Sequence, residues 1–384
     1  MGMRHRSALS VRLALVAGCV LLGARANAQH YTQMNLVSDQ TGVAAVQDLN
    51  LVNPWGLSRS SGSPWWTANN GMGNSTLFNT STTPPTVLGL VVTIPSASGT
   101  DPGVPTGTVF NGTPAFELTP GNTARFLFVT EDGTVSGWNP AVMATDAVIK
   151  ATNKDAVYKG VAIASWRGNW YLYVTNFSQR RIDVFDSSFH RVHLSDDDHH
   201  GAMDNHHGED DDHKSFEDHR IPRGFSPFNV QNIGGDLYVT YAKRDPATND
   251  DVAGPGFGYV DVFSPGGRLL RRLEHGDWLS APWGLALAPG DFGAFSHNLL
   301  VGQFGSGEIA AYDVATGAFL GKVLDKPTGN VLAIDGLWAL GFGNGAAAGP
   351  LNTLFFTAGP DDESHGLFGS LTADPAEQLL GNGM

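Results

Sequence analysis

Six side chains in this sequence offer oxygen at a repeated place, beside the ends of short β-rich runs: Asn53, Asn69, Glu131, Asn176, Gln303 and Asp335. Amide and carboxylate oxygens with no imidazole among them suit a hard cation, calcium or magnesium, rather than zinc. An ion on Asn69, Glu131, Asn176 and Asp335 would polarise a carbonyl. Glu131 or a metal-bound water would then move the proton. The same residue types have a plainer use, because Asn is an ordinary former of the turn after a strand. Turn structure and a ligand site are both open at this stage.

A second group lies between Asp196 and His219. Ten carboxylates alternate there with His199, His200, His206, His207, His213 and His219. With Met203 as its one sizeable apolar side chain, the part from 196 to 213 cannot bury enough surface to offset its ordering entropy. It is expected to be a disordered insertion. Its imidazoles and carboxylates suit weak binding of Zn²⁺ or Ni²⁺, and a solvated linker is the alternative. Asp196-x-Asp198-x-His200-Gly201 opens like a calcium loop, but its twelfth position is His207 rather than Glu. A third group, Glu363 and His365, stands in a polar hairpin tip and has the types of an acid–base pair. No G-x-S-x-G, H-E-x-x-H or P-loop pattern occurs. Trp65, Trp66, Trp166 and Trp170 have the surface for sugar stacking, though such side chains more often pack between sheets.

The elements that must position these groups recur. Pro64–Asn69 leads to Thr76–Asn79, and Phe126–Glu131 to Val135–Asn139. Tyr171–Asn176 leads to Ile182–Asp186, Leu237–Tyr241 to Val260–Ser264, Leu299–Gln303 to Ile309–Asp313, and Leu354–Ala358 to Leu367–Leu371. Each pair reads as a hairpin, with Phe78, Trp138, Phe185, Phe263, Tyr312 and Phe368 in one column. Upstream runs such as Pro54-Trp55-Gly56-Leu57, Gly160-Val161-Ala162-Ile163 and Pro282-Trp283-Gly284-Leu285 supply an inner strand whose glycine suits a crowded axis. Six such units predict an all-β, six-bladed β-propeller. Tyr31–Val37 is expected to complete the last blade and close the ring. Asn53 and Asp335 then fall on the same face as the column after the second strands.

Composition bounds the rest. Arg4, His5, Arg6 and Arg12 precede an apolar run, Leu13–Gly23, and Ala26-Asn27-Ala28, the layout of a signal peptide over 1–28. Residues 29–384 then form a single domain, exported to the periplasm or outside the cell, with Gln29 first. Val16-Ala17-Gly18-Cys19 resembles a lipobox, but the apolar run before Cys19 is short for one. Cys19 is the sole cysteine, so disulfides and thiol chemistry play no part in a chain cut after Ala28. Net charge is −14, and loss of Arg4, Arg6, Arg12 and Arg25 makes it about −18. Such a surface disfavours nucleic acid and favours cationic partners and divalent metals. A monomer without a transmembrane segment is expected, with a small molecule or a protein as its partner.

Several long phrases carry a family resemblance: Asn35–Gln40, Leu51–Leu57, Ser280–Leu285, Asp335–Gly345 and Phe356–Pro360. On them the chain resembles a family of exported bacterial proteins known as conserved hypotheticals. The resemblance implies a six-bladed propeller related to NHL and TolB-like folds, and no established activity. Two places depart from the family pattern: the Asp/His insertion, and Gln303-Phe304-Gly305-Ser306-Gly307, where Asn-Phe-Gly-Asp-Gly is usual. The expected function is therefore a binding propeller whose ligand, or a channel Ca²⁺, sits on Asn53, Asn69, Glu131, Asn176, Gln303 and Asp335. A metal-dependent hydrolase of lactonase or gluconolactonase type is the alternative. A metal-sequestering protein acting through the His-rich stretch is the third.

Overall fold

Runs such as Leu-Leu-Val-Gly-Gln and Phe-Leu-Phe-Val-Thr are too short for helices and rich in residues that pack well on a pleated surface. The computed structural model, which describes residues 30–99, 101–194 and 215–375, forms them into strands throughout. The expected leader, Cys19, Gln29 and the 196–213 insertion with His199, His200, His206, His207 and His213 lie outside the described residues.

Six radial sheets make a β-propeller. Their innermost strands are Pro54–Ser58, Pro105–Phe110, Tyr158–Trp166, Phe225–Ile233, Pro282–Leu287 and Leu337–Phe342. Each packs against the innermost strand of the next blade, and Leu337–Phe342 returns to Pro54–Ser58. The ring is closed by sequence-distant ends. His30–Ser38 pairs antiparallel with Leu367–Ala373, as expected, and leaves the last blade no free third strand. A two-stranded ribbon, Glu117–Thr119 with Asn122–Thr123, forms a separate small sheet and packs Leu118 into the core between the second and third blades.

The hairpin register corrects one column. Phe78, Trp138, Phe185, Phe263 and Tyr312 lie opposite Trp65, Phe126, Leu172, Leu237 and Leu299, which stand four residues before Asn69, Thr130, Asn176, Tyr241 and Gln303. In the sixth blade the residue so placed is Leu371, opposite Leu354, whereas Phe368 faces Thr357. The position needs a large apolar side chain, and leucine satisfies it. The long hairpin loop before Leu367 hides this register from a reading anchored on aromatics.

Blades are stitched at the axis by side chains that reach the main chain of a neighbour. Thr106 Oγ1 donates to Tyr158 O (2.9 Å), Thr175 Oγ1 to Phe228 O (3.0 Å), Asn229 Nδ2 to Trp283 O (2.7 Å) and Thr357 Oγ1 to Trp55 O (2.8 Å). Glycine is required where the backbones meet. A Cβ on Gly56 would stand 2.6 Å from Thr106 O and 2.8 Å from Thr108 N. Between the two mouths of the channel, Trp55, Phe228, Trp283 and Trp338 form an aromatic floor. Trp55 stacks on Trp338 with centroids 3.5 Å apart, and Trp283 meets both edge-on at 6.2 and 5.9 Å.

Candidate functional site

At the second residue of each inner-strand motif stand, in chain order, Trp55, Thr106, Lys159, Phe228, Trp283 and Trp338. Lysine replaces an aromatic residue in the third blade. Its side chain is 1% exposed. A buried ammonium is costly unless paired, and Lys159 Nζ forms an ion pair with Glu131 Oε1. It also lies 4.5 Å from the Trp55 ring centroid and 5.7 Å from that of Phe177.

Glu131 is the centre of a polar network on this face. Its other oxygen accepts from Asn70 Nδ2 at 3.1 Å. Asn53 donates through Nδ2 to Glu363 Oε2 at 2.6 Å and lies 3.4 Å from Asn70 Oδ1. Asn53 Oδ1 accepts from Trp338 Nε1 at 2.9 Å, which ties the network to the aromatic floor. Asn53 itself holds a left-handed backbone, φ 46°. Gly359 completes the fit, since a Cβ there would meet Asn53 Oδ1 at 2.2 Å.

Glu363 is carried by a strained loop. Asp361, Asp362 and Glu363 have φ of 56°, 52° and 63°, three successive non-glycine residues in a region that costs about 1–3 kcal/mol each. The loop is held on three sides. Asp335 Oδ2 accepts from Asp361 N at 3.0 Å, Asn53 N donates to His365 O at 3.0 Å, and the two oxygens of Asp39 take His365 Nδ1 and Gly366 N, each at 2.8 Å. His365 thus turns to Asp39 while Glu363 turns to Asn53, and the two are not an acid–base pair in this conformation.

The carboxylates are crowded. Burial raises Glu363 above the usual range, against the hydrogen bond from Asn53 and the charge of Lys159. Asp251 is pushed up to about 7, chiefly by burial, with Lys159 opposing the shift and Glu363 adding to it. Asp132, beside Glu131, is also raised by burial. Glu131, Glu363 and Asp251 therefore share one environment with one lysine.

The oxygen-bearing residues expected from the sequence divide. Asn53 and Glu131 enter the network through Asn70. Asp335 is exposed and holds the Glu363 loop. Asn69, Asn176 and Gln303 are fully buried and turn into their blades. Asn69 Nδ2 donates to Asn74 and Thr76, and Asn176 Nδ2 to Gln179 and Asp183. Gln303 Oε1 accepts from Ser280 N and its Nε2 donates to Val301 O.

The cause is register. Asn69, Thr130, Asn176, Tyr241, Gln303 and Ala358 pair with Pro54, Pro105, Tyr158, Pro227, Pro282 and Leu337, so Glu131 stands one residue beyond the column. Its true equivalents are Asn70, Phe177, Ala242, Phe304 and Gly359. A one-residue slip reverses a side chain, and it is this next column that faces the axis. Phe304 stacks on Trp338 at 3.9 Å, and Phe177 and Ala242 pack with the floor.

Lys159 was not singled out by the sequence, although a lysine in the place held by tryptophan in Pro54-Trp55-Gly56 and Pro282-Trp283-Gly284 was the available signal. Asp251 lay hidden in the long connection between Tyr241 and Val260. Among the described residues no three His, Cys, Asp or Glu side chains are gathered closely enough to hold a metal ion. No helix among them is long and apolar enough to cross a membrane.

The chain is 34% identical over 350 residues to uncharacterized protein L690 of Acanthamoeba polyphaga mimivirus, covering 88% of this chain and 85% of that one. It is 33% identical to uncharacterized protein R648 of the same virus, covering 88% and 79%. The fold defines the class, a six-bladed β-propeller. The chain belongs to the family of these mimivirus proteins. The six-sheet ring carries the propeller part of the resemblance read from the sequence, and these viral relatives do not support its bacterial, exported part. A solved structure of a protein of unknown function from Bacteroides thetaiotaomicron superimposes with a TM-score of 0.51 at 10% identity, covering 90% of this chain and 76% of that one, which bears on the fold alone. No family model matches the sequence.

Proposed function

We propose that this chain is a binding propeller that takes a small cation-bearing ligand at the mouth formed by Glu131, Glu363 and Asp251. The observation that carries the reading is the convergence of these carboxylates around one buried lysine, with Asn53 and Asn70 fixing two of them. Glu131 is 25% exposed, so it is reachable from solvent while held in place. Three carboxylates against one ammonium leave negative charge in a partly desolvated site, where a cation is attracted more strongly than at an open surface. An organic ammonium suits this spacing, since no three of the described carboxylates and imidazoles are gathered closely enough to hold a metal ion.

Isothermal titration of the full chain with putrescine tests the reading, with Ca²⁺ as the comparison probe for a metal site. Saturable binding of putrescine is expected, weakened by about tenfold in Glu363→Gln through loss of one charge-assisted contact. Glu131→Gln should do the same but also removes the partner of Lys159, so Glu363→Gln is the cleaner variant. Failure of putrescine to bind, binding of Ca²⁺ alone, or putrescine binding that both substitutions leave unchanged overturns it.

A second reading is acid–base chemistry on the bound ligand. It rests on Asp251, whose carboxyl at about 7 has the poise of a proton-transfer group near neutrality. Asp251→Asn would abolish turnover of a substrate while retaining its binding.

A further inference from the structure

On the far side of the aromatic floor the same inner strands enclose a second space, a well of about 650 Å³. Trp283 contributes to its base, and Gly56, Gly107 and Val161 to its walls. Its lining includes no residue of the Glu131–Lys159 network, so the floor separates the two ends of the channel. The volume falls in the range of small-molecule sites, about 300–1,000 Å³. A well closed by six strands and a tryptophan floor admits a small molecule and excludes a folded partner.

Its chemistry is the reverse of the other mouth. No Asp or Glu is among the residues that line it, and its one charged side chain is Arg59. Arg59 spends its recorded hydrogen bonds on main-chain carbonyls, Nε to Phe342 O at 2.6 Å and Nη2 to Gly343 O at 3.0 Å, and lies 5.5 Å from the Trp65 ring centroid. Burial lowers its pKa, the mark of a cation short of solvent and of counter-charge. At the ends of the inner strands stand Phe110, Leu287 and Phe342, with Trp170 nearby, and Leu287 and Trp170 are 43% and 36% exposed. Three further lining residues, Trp65, Thr108 and Trp283, each keep a buried polar atom without a protein partner.

We infer that this well is a second ligand site, for a small organic anion with a flat apolar body, its charge set toward Arg59 and its body against the aromatic and aliphatic wall. Apolar contact supplies the affinity, and the uncompensated guanidinium supplies the preference for an anion. The site is distinct from the cation-binding mouth and does not depend on it.

Cinnamate and its neutral amide, cinnamamide, are suitable probes, titrated calorimetrically into the full chain. Cinnamate should bind at least about tenfold tighter than the amide, the size of one charge-assisted contact. Arg59→Gln should remove that difference and Arg59→Lys should keep part of it. Arg59 also ties down Phe342 and Gly343, so a variant that fails to fold is a hazard there. Leu287→Glu, at an exposed position, is the second test and should weaken cinnamate more than cinnamamide. Glu363→Gln, at the opposite mouth, should leave cinnamate binding unchanged. Equal binding of the two probes, no binding of either, or cinnamate binding insensitive to both Arg59→Gln and Leu287→Glu overturns the inference.

Discussion

The two ends of the channel are built by the same six strands and end up opposite in character. At one end the strand starts and the loops around them gather Glu131, Glu363 and Asp251 over a buried Lys159. At the other end the strand exits carry apolar side chains and a single Arg59. Alternation along a strand cannot by itself produce this, because both ends are drawn from the same runs. The difference comes from what is added to the repeat. The acidic mouth takes its groups from turns and insertions: Glu131 after a second strand, Asp251 in an extended connection, Glu363 in a strained hairpin loop. The well takes its walls chiefly from the strands themselves, where glycine lets the blades approach, with Arg59 and Thr113 just past strand ends. Propellers are suited to this division, since blades repeat for stability while loops vary for chemistry.

The largest effect expected from breaking this contrast is at Lys159. Replacing it with Met removes the one cation from the acidic mouth and leaves Glu131 partly buried and unpaired. Removing one partner of a buried ion pair typically costs about 3–5 kcal/mol, and the 25% exposure of Glu131 places the cost toward the lower end. Thermal unfolding of Lys159→Met should show a clearly lowered midpoint. The double variant Lys159→Met/Glu131→Gln should recover part of it, because the stranded charge is gone. If Lys159→Met unfolds at the wild-type temperature, the lysine is not the counter-charge of this mouth.

A smaller effect is expected at the seam that both ends share. In Gly56→Ala the new methyl group would press on Thr106 O and Thr108 N of the next blade, both backbone atoms that cannot rotate away. Overpacking of this kind costs about 1–3 kcal/mol. Chemical denaturation should register that loss with an unchanged m-value. Gly62→Ala, where a Cβ meets nothing within 4 Å, is the matched control and should be near neutral. Equal stability of the two variants would mean that the first two blades do not meet as closely as described.

Much of this architecture was legible in the sequence, and the reason is repetition. A hairpin phrase that returns six times can be aligned with itself, and the inner-strand glycines and the closing strand at His30–Ser38 follow from the same logic. The site was legible only in part. Asn53 and Glu131 were singled out for their oxygens together with Asn69, Asn176 and Gln303, yet those three turn their amides to hydrogen bonds inside their blades. A turn residue and the residue after it have the same composition bias but face opposite ways, and only the pairing register tells them apart. Lys159 was obscured by its surroundings, since Tyr158-Lys159-Gly160 shares only its glycine with Pro54-Trp55-Gly56 and Pro282-Trp283-Gly284, and only an alignment on that glycine puts the lysine at an axis lined with tryptophan. The well was invisible because its apolar side chains are ones that composition assigns to the core, and its polar ones, such as Ser58, Thr108, Gln231 and Asn232, are scattered over separate inner strands.

The smallest effect, and the one that bears most directly on ligand chemistry, is a proton coupling at Asp251. Burial pushes this carboxyl up to about 7, with Lys159 pulling it down and Glu363 and Asp250 pushing it further up. A cation arriving at the mouth favours the ionised form, so cation and proton compete. Affinity for putrescine should therefore rise with pH through about 7, by at most about tenfold per pH unit for one coupled proton, and level off above it. The sign for stability is opposite. A carboxyl whose folded pKa lies above its unfolded value holds its proton more tightly in the folded chain. Its contribution is therefore most favourable at the acid end of the window and is lost as pH rises from about 4 through about 7. Asp251→Asn should flatten both profiles together, while Glu363→Gln should lower affinity and leave most of the slope. Calorimetric titrations across this range, paired with unfolding curves at the same pH values, would check it. An affinity slope that survives in Asp251→Asn would assign the coupled proton to another group and remove Asp251 from the ligand site.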